Sequence, residues 1–121
     1  MMSDLPTNIS LSHSRYIIPL PQGKPANIFI VEDPFGNPSE VLCSLGKVGT
    51  PMSGYGTTIA RLLSKIIRET SLDEAIGEMS TLAIDLAQSH EVRFEDQVCR
   101  SLAEAFAIAL RKYRTQKQET R

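Results

Sequence analysis

The segment EVLCSLGKVGTPMSGYGTTIARLLSKIIR, Glu40 to Arg68, changes its pattern along its length. Its first part alternates apolar residues as a β-strand does, with Val41, Cys43 and Leu45 on one face. Its last part repeats apolar residues with the spacing of an amphipathic helix. Four glycines, one proline, a lysine and several hydroxyl side chains lie between the two parts. The segment therefore predicts a strand, a polar glycine-rich connection and a helix, in that order.

Two stretches before this segment also have strand character. RYIIPLP at residues 15–21 predicts a short strand, which Pro19 confines to the edge of a sheet. NIFIVE at 27–32 is rich in β-branched and aromatic residues. The turn-forming sequence DPFGNP at 33–38 joins it to SEVLCSLG at 39–46, so we expect a β-hairpin with a loop longer than two residues.

Helices are expected after the glycine-rich connection. SLDE at residues 71–74 fits a capping box, and the second helix should continue from there to Leu86 despite Gly77. QSHE at 88–91 predicts a break before a third helix over 94–114. The buried face of the first helix should consist of Ile59, Leu62, Leu63, Ile66 and Ile67, and the core stripe of the third of Phe94, Val98, Leu102, Phe106, Ala109 and Tyr113.

This order of elements predicts an α+β fold, with a small antiparallel β-sheet (a hairpin plus an edge strand) followed by two or three α-helices. The length of 121 residues suits one domain. We expect a flexible arm over 1–14, a single α+β domain over 15–114 and a charged tail over 115–121.

Composition narrows the classes of function. A net charge of −1 argues against a protein that binds DNA or RNA through bulk electrostatics. The chain has no run of about 18 apolar residues, and its first residues lack the pattern of a signal peptide, so we expect a cytoplasmic protein without membrane contact. Cys43 and Cys99 are interpreted as reduced core residues, with a disulfide between them as the alternative.

The glycine-rich connection has two interpretations. Glycines at 46, 49, 54 and 56 would permit positive φ and leave backbone amides uncovered near a helix N-terminus, a favourable place for phosphate. Lys47 would add charge, and the hydroxyls of Thr50, Ser53, Thr57 and Thr58 would add donors. Alternatively, the glycines only permit a sharp turn, and Thr57 or Thr58 caps the helix. The order of residues matches neither a Walker motif nor G-x-G-x-x-G.

Basic residues recur at helical spacing on faces opposite the predicted core. Such faces are ordinarily solvated, but guanidinium groups also match phosphate geometry, so a second protomer or an anionic ligand is the alternative. The predicted stripes comprise Thr57, Arg61, Lys65 and Arg68 in the first helix, and Arg93, Gln97, Arg100, Glu104, Arg111 and Arg114 in the last.

The sequence gives little support to catalysis. Its two histidines, His13 and His90, lie in the predicted arm and helix break, and a metal site of His90 with neighbouring glutamates is nonspecific. Cys43 is a poor candidate nucleophile, because an apolar strand position should raise its pKa. Phe35 and Tyr55 are the aromatic residues placed to stack on a base. We expect no enzyme, no metal and no cofactor.

The pattern E-V-x-x-x-x-G-K-x-G, then R-L-L-S-x-x-I-R, then S-L-D-E-A-I resembles the TSCPD domain over residues 26–86. That domain occurs at the C-terminal end of vitamin B12-dependent ribonucleotide reductases and as small stand-alone proteins. The chain lacks the cysteine-rich ending and the Thr-Ser-Cys-Pro-Asp string itself. The resemblance therefore implies an accessory or regulatory module that interacts with a reductase. It is carried by Glu40, Val41, Gly46, Lys47, Gly49, Arg61, Leu62, Ser64 and Arg68.

In size and plan the chain is also similar to the Thoeris anti-defence sponge proteins of phages. That resemblance implies non-enzymatic sequestration of cyclic ADP-ribose-like or cyclic dinucleotide immune signals between protomers, in the host cytoplasm. It favours a homodimer or higher oligomer. A structural oligomer, in which arginine stripes pair with the acidic 73–96 segment of another copy, is a further alternative. The candidate ligand-binding residues are Gly46, Lys47, Gly49, Thr50, Ser53, Thr57, Arg61, Arg100 and Arg111.

Overall fold

A three-stranded antiparallel sheet is followed by three helices, which confirms the predicted α+β fold. This computed structural model describes residues 12–21, 24–46, 49–85, 92–94 and 97–119. The elements are β1 (His13–Ile18), β2 (Ala26–Glu32), β3 (Pro38–Ser44), α1 (Pro51–Glu69), α2 (Leu72–Asp85), β4 (Val92–Phe94), β5 (Gln97–Cys99) and α3 (Leu102–Glu119).

The strands lie in the order β1-β2-β3, so β2 is central. The loop between β2 and β3 is closed by the Asp33 carboxylate, which accepts hydrogen bonds from the amides of Phe35 and Asn37 at 2.9 and 3.0 Å. Gly36 completes the turn with φ of 86°. The predicted hairpin with a long loop is therefore confirmed.

One face of the sheet is buried and the other is open. Because side chains alternate along a strand, the register places the buried residues Tyr16, Ile28 and Val41 on one face. Ile17 and Leu42 lie on the opposite face, about half exposed. The buried face contacts α3, whose first half is buried all round, and α3 also contacts α2 and β5.

The predicted third helix was wrong at both ends. It was expected over 94–114, but α3 runs from Leu102 to Glu119, and the short strands β4 and β5 precede it. The Ser101 hydroxyl accepts a hydrogen bond from the amide of Glu104 at 3.1 Å and so caps the helix. Among the predicted core stripe, Leu102, Phe106, Ala109 and Tyr113 are buried as expected.

The ends of the predicted domain also differ from the observed elements. His13 and Ser14, assigned to the arm, belong to β1, and residues 115–119, assigned to the tail, continue α3. Residues 1–11 of the arm lie outside the described residues, as do the predicted break at 88–91 and His90.

Candidate functional site

The connection between β3 and α1 is shorter than the glycine pattern indicates. Helix α1 begins at Pro51, and Thr50 is its N-cap, with a side chain that accepts a hydrogen bond from the Ser53 amide at 3.3 Å. Proline is favoured at the first helical position because it has no amide to satisfy and its φ suits a helix. The alternative in which Thr57 or Thr58 caps the helix was therefore wrong.

Only two of the four glycines in this connection have positive φ, namely Gly46 at 64° and Gly49 at 92°. Gly54 and Gly56 lie inside α1, so the expectation of positive φ was wrong for both. Gly56 instead packs closely on β3, since a Cβ atom there would lie 3.0 Å from the Sγ atom of Cys43 and would require that side chain to shift. Lys47 lies outside the described residues.

The helix N-terminus offers few amides to an anion. Pro51 has none, Thr50 uses its side chain to satisfy the Ser53 amide, and the Gly54 amide donates to the Thr50 carbonyl oxygen at 3.0 Å. Of the first turn, this leaves the amide of Met52. In the helical part of the predicted anion seat, the Ser53 and Gly54 amides are thus already bonded to Thr50, and the Thr50 hydroxyl serves as the cap.

A groove further along α1 brings together residues that the sequence had placed on one stripe. Thr57, Arg61 and Arg68 line it from α1, and Glu40 and Leu42 line it from β3. Its volume is about 410 Å³, within the ~300–1,000 Å³ typical of small-molecule sites. The predicted ligand residues Thr57 and Arg61 therefore lie at one concave surface.

The two arginines of the groove differ in their contacts. Arg68 donates a hydrogen bond to the backbone carbonyl oxygen of Ser39 at 3.2 Å. Arg61 is exposed and makes no hydrogen bond or ion pair with any described residue. A guanidinium that no described residue neutralises is available to an anion from solution.

The groove is held in shape by Ser64, a feature that the sequence analysis did not assign. Its hydroxyl accepts a hydrogen bond from the Val41 amide at 2.8 Å and lies 3.2 Å from the Val41 carbonyl oxygen. In an antiparallel strand both backbone groups of one residue point the same way, so Val41 directs its pair to α1 and not to β2. Ser64 thereby satisfies the outward-facing backbone groups of β3 at Val41 and fixes α1 beside the strand.

Arg100, which precedes α3, and Arg111 within it form a separate cluster. Arg100 and Arg111 both lie near the Glu104 carboxylate, at 3.6 and 3.9 Å, and Arg111 also donates to the Ser80 hydroxyl at 3.1 Å. Neither lines the groove on α1. The single stripe predicted for the last helix was wrong, because Arg93 belongs to β4 and Arg100 precedes α3.

One residue of the acidic segment that was predicted to pair with arginines of another copy, Asp73, pairs within the chain. Arg114 of α3 contacts the Asp73 carboxylate of α2 at 3.0 Å. Nearby, the Glu32 carboxylate accepts a hydrogen bond from the Tyr113 hydroxyl at 2.6 Å and contacts the Lys117 ammonium at 2.9 Å.

A second cavity of about 410 Å³ lies between the β2–β3 turn, the start of α2 and the end of α3, and its lining includes Asp73, Tyr113, Arg114 and Lys117. The sequence analysis missed it, because it placed 115–121 in a tail. Burial acts to raise the pKa of Glu32, but the hydrogen bonds from Tyr113 and Lys117 outweigh that effect, and the pKa is lowered.

Both cysteines are free, so the alternative of a disulfide was wrong. Burial raises the pKa of Cys43 to about 11, in the direction that the apolar strand position predicted. Burial also raises the pKa of Cys99. Among the described residues no group of three or more histidine, cysteine or carboxylate side chains is placed to hold a metal ion.

The two aromatic residues singled out for stacking are exposed, Phe35 at the tip of the β2–β3 turn and Tyr55 on α1. Neither lines the groove. None of the helices in the described part of the chain is long and apolar enough to cross a membrane.

Comparison of the chain with protein-family models, with curated proteins and with solved structures found no match.

Proposed function

We propose that this chain is a non-enzymatic nucleotide-binding protein of the cytoplasm that sequesters cyclic ADP-ribose-like or cyclic dinucleotide signals. In a phage-encoded protein, that would be the host cytoplasm. The observation that carries the proposal is the groove between α1 and β3, in which Arg61, with no ion pair to any described residue, lies between Thr57 and Arg68.

The spacing of these side chains suits a ligand with more than one phosphate. Arg61 and Arg68 are seven residues apart, which corresponds to about 10 Å along a helix. Thr57 precedes Arg61 by four residues and so lies on the same side of α1. Two cations and a hydroxyl in one line match an extended polyanion better than a single phosphate ion.

The β3 side of the groove adds contacts of another kind. Leu42 is 46% exposed and provides apolar surface for a base or a ribose. Glu40 is exposed and offers a carboxylate that accepts hydrogen bonds from an exocyclic amine or a ribose hydroxyl. A nucleotide has all of these groups, whereas inorganic phosphate has only the anion.

Binding without turnover is favoured because neither the Ser64 hydroxyl nor the Cys43 thiol is activated as a nucleophile. The Ser64 hydroxyl donates within the chain, toward the carbonyl oxygens of Ala60 and Val41. Cys43 of β3, which does not line the groove, remains a protonated thiol at neutral pH because its pKa is about 11. Among the described residues, neither hydroxyl of the groove lining, that of Thr57 or that of Ser64, is hydrogen-bonded to the Glu40 carboxylate.

Calorimetric titration of the full chain with cyclic ADP-ribose isomers, cyclic dinucleotides and dNTPs tests the proposal. We expect binding of a cyclic nucleotide that Arg61→Ala and Arg68→Ala each weaken by about tenfold or more, as loss of a charge-assisted hydrogen bond would. Lys65→Ala is the matched control, because this residue is exposed on α1 and does not line the groove.

Lack of binding of every compound at millimolar concentration would reject the proposal. Equal weakening of ligand binding by Arg61→Ala and Lys65→Ala would show that the ligand binds outside the groove. Ligand recovered chemically intact after heat denaturation separates sequestration from hydrolysis.

A further inference from the structure

Helix α1 carries a second apolar surface beside the one that packs on β3. Apolar residues recur along it three and four positions apart, the spacing that forms the seam between two packed helices. Tyr55 and Leu62 are 60% and 58% exposed. The other members of this seam are partly covered by the core. The seam consists of Met52, Tyr55, Ile59, Leu62 and Ile66.

The sequence analysis had assigned Leu62 to the buried face of the helix, and that was wrong. The covered residues are Gly56, Ala60, Leu63, Ser64 and Ile67, which occupy a neighbouring arc of α1. The apolar arc is thus wider than the surface that the chain itself covers. Large exposed apolar residues in one row are typical of an interaction surface.

Charge indicates what fits beside the seam. Of the three basic residues of α1, Arg61 and Arg68 line the groove and Lys65 lies exposed beside the seam, whereas α2 has four acidic residues and no lysine or arginine. Glu74 and Glu78 are exposed, so the outer surface of α2 is acidic. A second α1 would place like charges together, while α2 of another copy would place opposite charges together.

Gly77, on the acidic outer surface of α2, provides a second observation that does not depend on charge. It lies in the middle of α2, is exposed, and has no atom within 4 Å of the position that a Cβ would occupy. Glycine in a helix interior is unfavourable relative to alanine. No described residue of the same chain accounts for it, and a glycine between Glu74 and Glu78 leaves an open position for a side chain from another helix.

We propose that the chain forms a two-fold homodimer in which the seam of α1 docks on the acidic surface of α2 from the second copy, with Leu62 against Gly77. Each copy then contributes one α1 and one α2, as a two-fold interface requires. Lys65, exposed beside the seam, faces Glu74 and Glu78 of the second copy. The groove of Thr57, Arg61 and Arg68 lies on a different flank of α1, so this proposal does not rest on ligand binding.

Sedimentation equilibrium of the full chain tests the dimer directly. We expect a dimer at micromolar concentration and a dissociation constant raised about thirtyfold or more by Leu62→Glu. Ile17→Glu is the control, because Ile17 is 48% exposed but lies on the open face of the sheet. A monomeric wild type at all concentrations, or equal effects of the two variants, would overturn the proposal.

Gly77→Gln tests the docking position. The space at Gly77 is open in one chain, so the melting temperature of the dilute monomer should not fall, while the dimer should weaken at least about tenfold. A dimer that Leu62→Glu disrupts and Gly77→Gln leaves intact would mean that the seam packs on another surface, and would refute the assignment to α2.

Exchange of the charges at Lys65 and Glu78 tests whether these two residues pair across the dimer interface. Lys65→Glu and Glu78→Lys should each weaken the dimer, and the double variant should recover affinity because it restores opposite charges across both halves of the interface. If the double variant loses as much dimer affinity as the two single variants together, that result would contradict a contact between Lys65 and Glu78.

Discussion

Helices α1 and α3 have nearly the same length, 19 and 18 residues, but their surroundings differ. In α3 eight of the nine residues from Leu102 to Leu110 are buried, so the helix occupies the centre of the molecule. In α1 only one arc is covered, and Tyr55 and Leu62 remain exposed. The helix with the clearer amphipathic spacing is thus the peripheral one. The comparison indicates that α3 forms much of the core, whereas α1 carries the two surfaces at which we propose binding.

We expect the largest effect on stability from Phe106→Ala in α3, which tests the contrast between the two helices. The side chain is fully buried, so its removal leaves a cavity and should lower the free energy of unfolding by about 3–5 kcal/mol. Leu62→Ala in α1 should cost less than about 1 kcal/mol in dilute monomer, since Leu62 is mostly exposed. Urea denaturation of both variants measures the difference, and equal losses would contradict the division of roles.

We expect the second-largest effect on stability at the polar end of α3, where Tyr113 and Lys117 contact Glu32. Glu32→Gln removes the charge that Tyr113 and Lys117 stabilise and should cost about 2 kcal/mol at pH 7. The pKa of Glu32 is lowered in the fold, so its stabilisation is present above the ordinary value of 4.5 and is lost as pH falls through the folded value. The difference between wild type and variant should therefore shrink below about pH 4.5.

Thermal unfolding from pH 7 to pH 3 measures this dependence. A Glu32→Gln variant that keeps its full deficit at pH 3 would show that the loss comes from packing and not from the charge. Tyr113→Phe provides a second comparison, because it removes the donated hydrogen bond and leaves the carboxylate.

Ser64→Ala tests whether α1 is fixed to the sheet by its hydroxyl. The change leaves the buried backbone groups of Val41 without their partner and should cost about 1–3 kcal/mol. The neighbouring Lys65→Ala should change stability by less than about 0.5 kcal/mol in dilute monomer, because Lys65 is exposed. Hydrogen exchange of the Val41 amide should accelerate in the first variant alone.

The smallest expected effect is at the start of α1. Thr50→Ala removes the N-cap and should lower the free energy of unfolding by about 1 kcal/mol. Thr58→Ala serves as its control, since Thr58 lies inside the helix and is exposed. Similar losses in chemical denaturation of the two variants would argue against the cap at Thr50.

The sequence predicted most of the sheet and α2 because their signals are local. Alternation marks β3, turn-forming residues mark the loop at 33–38, and the Ser71 hydroxyl accepts a hydrogen bond from the Glu74 amide as the capping box predicts. The start of α1 was missed because the glycines at 54 and 56 suggested a loop. Close packing of Gly56 against Cys43 is a tertiary contact, and no local pattern contains it.

The start of α3 was missed for a different reason. Ser101 and Glu104 form the spacing of a capping box, but the apolar residues upstream continue with a helical period and obscured it. For the site, the sequence indicated Thr57 and Arg61 but placed Arg100 and Arg111 with them. Those two pair with Glu104 instead, which depends on how α2 and α3 pack and is not encoded in the spacing along one helix.

The way α1 covers β3 has a consequence for the growth of the sheet. Ser64 takes up both backbone groups of Val41, and Arg68 takes up the carbonyl oxygen of Ser39, so an incoming strand finds these three groups of β3 already bonded. If α1 detaches during partial unfolding, β3 becomes a template for strands of other molecules. Resistance of this chain to aggregation should then follow the local stability of one helix more closely than the stability of the whole fold.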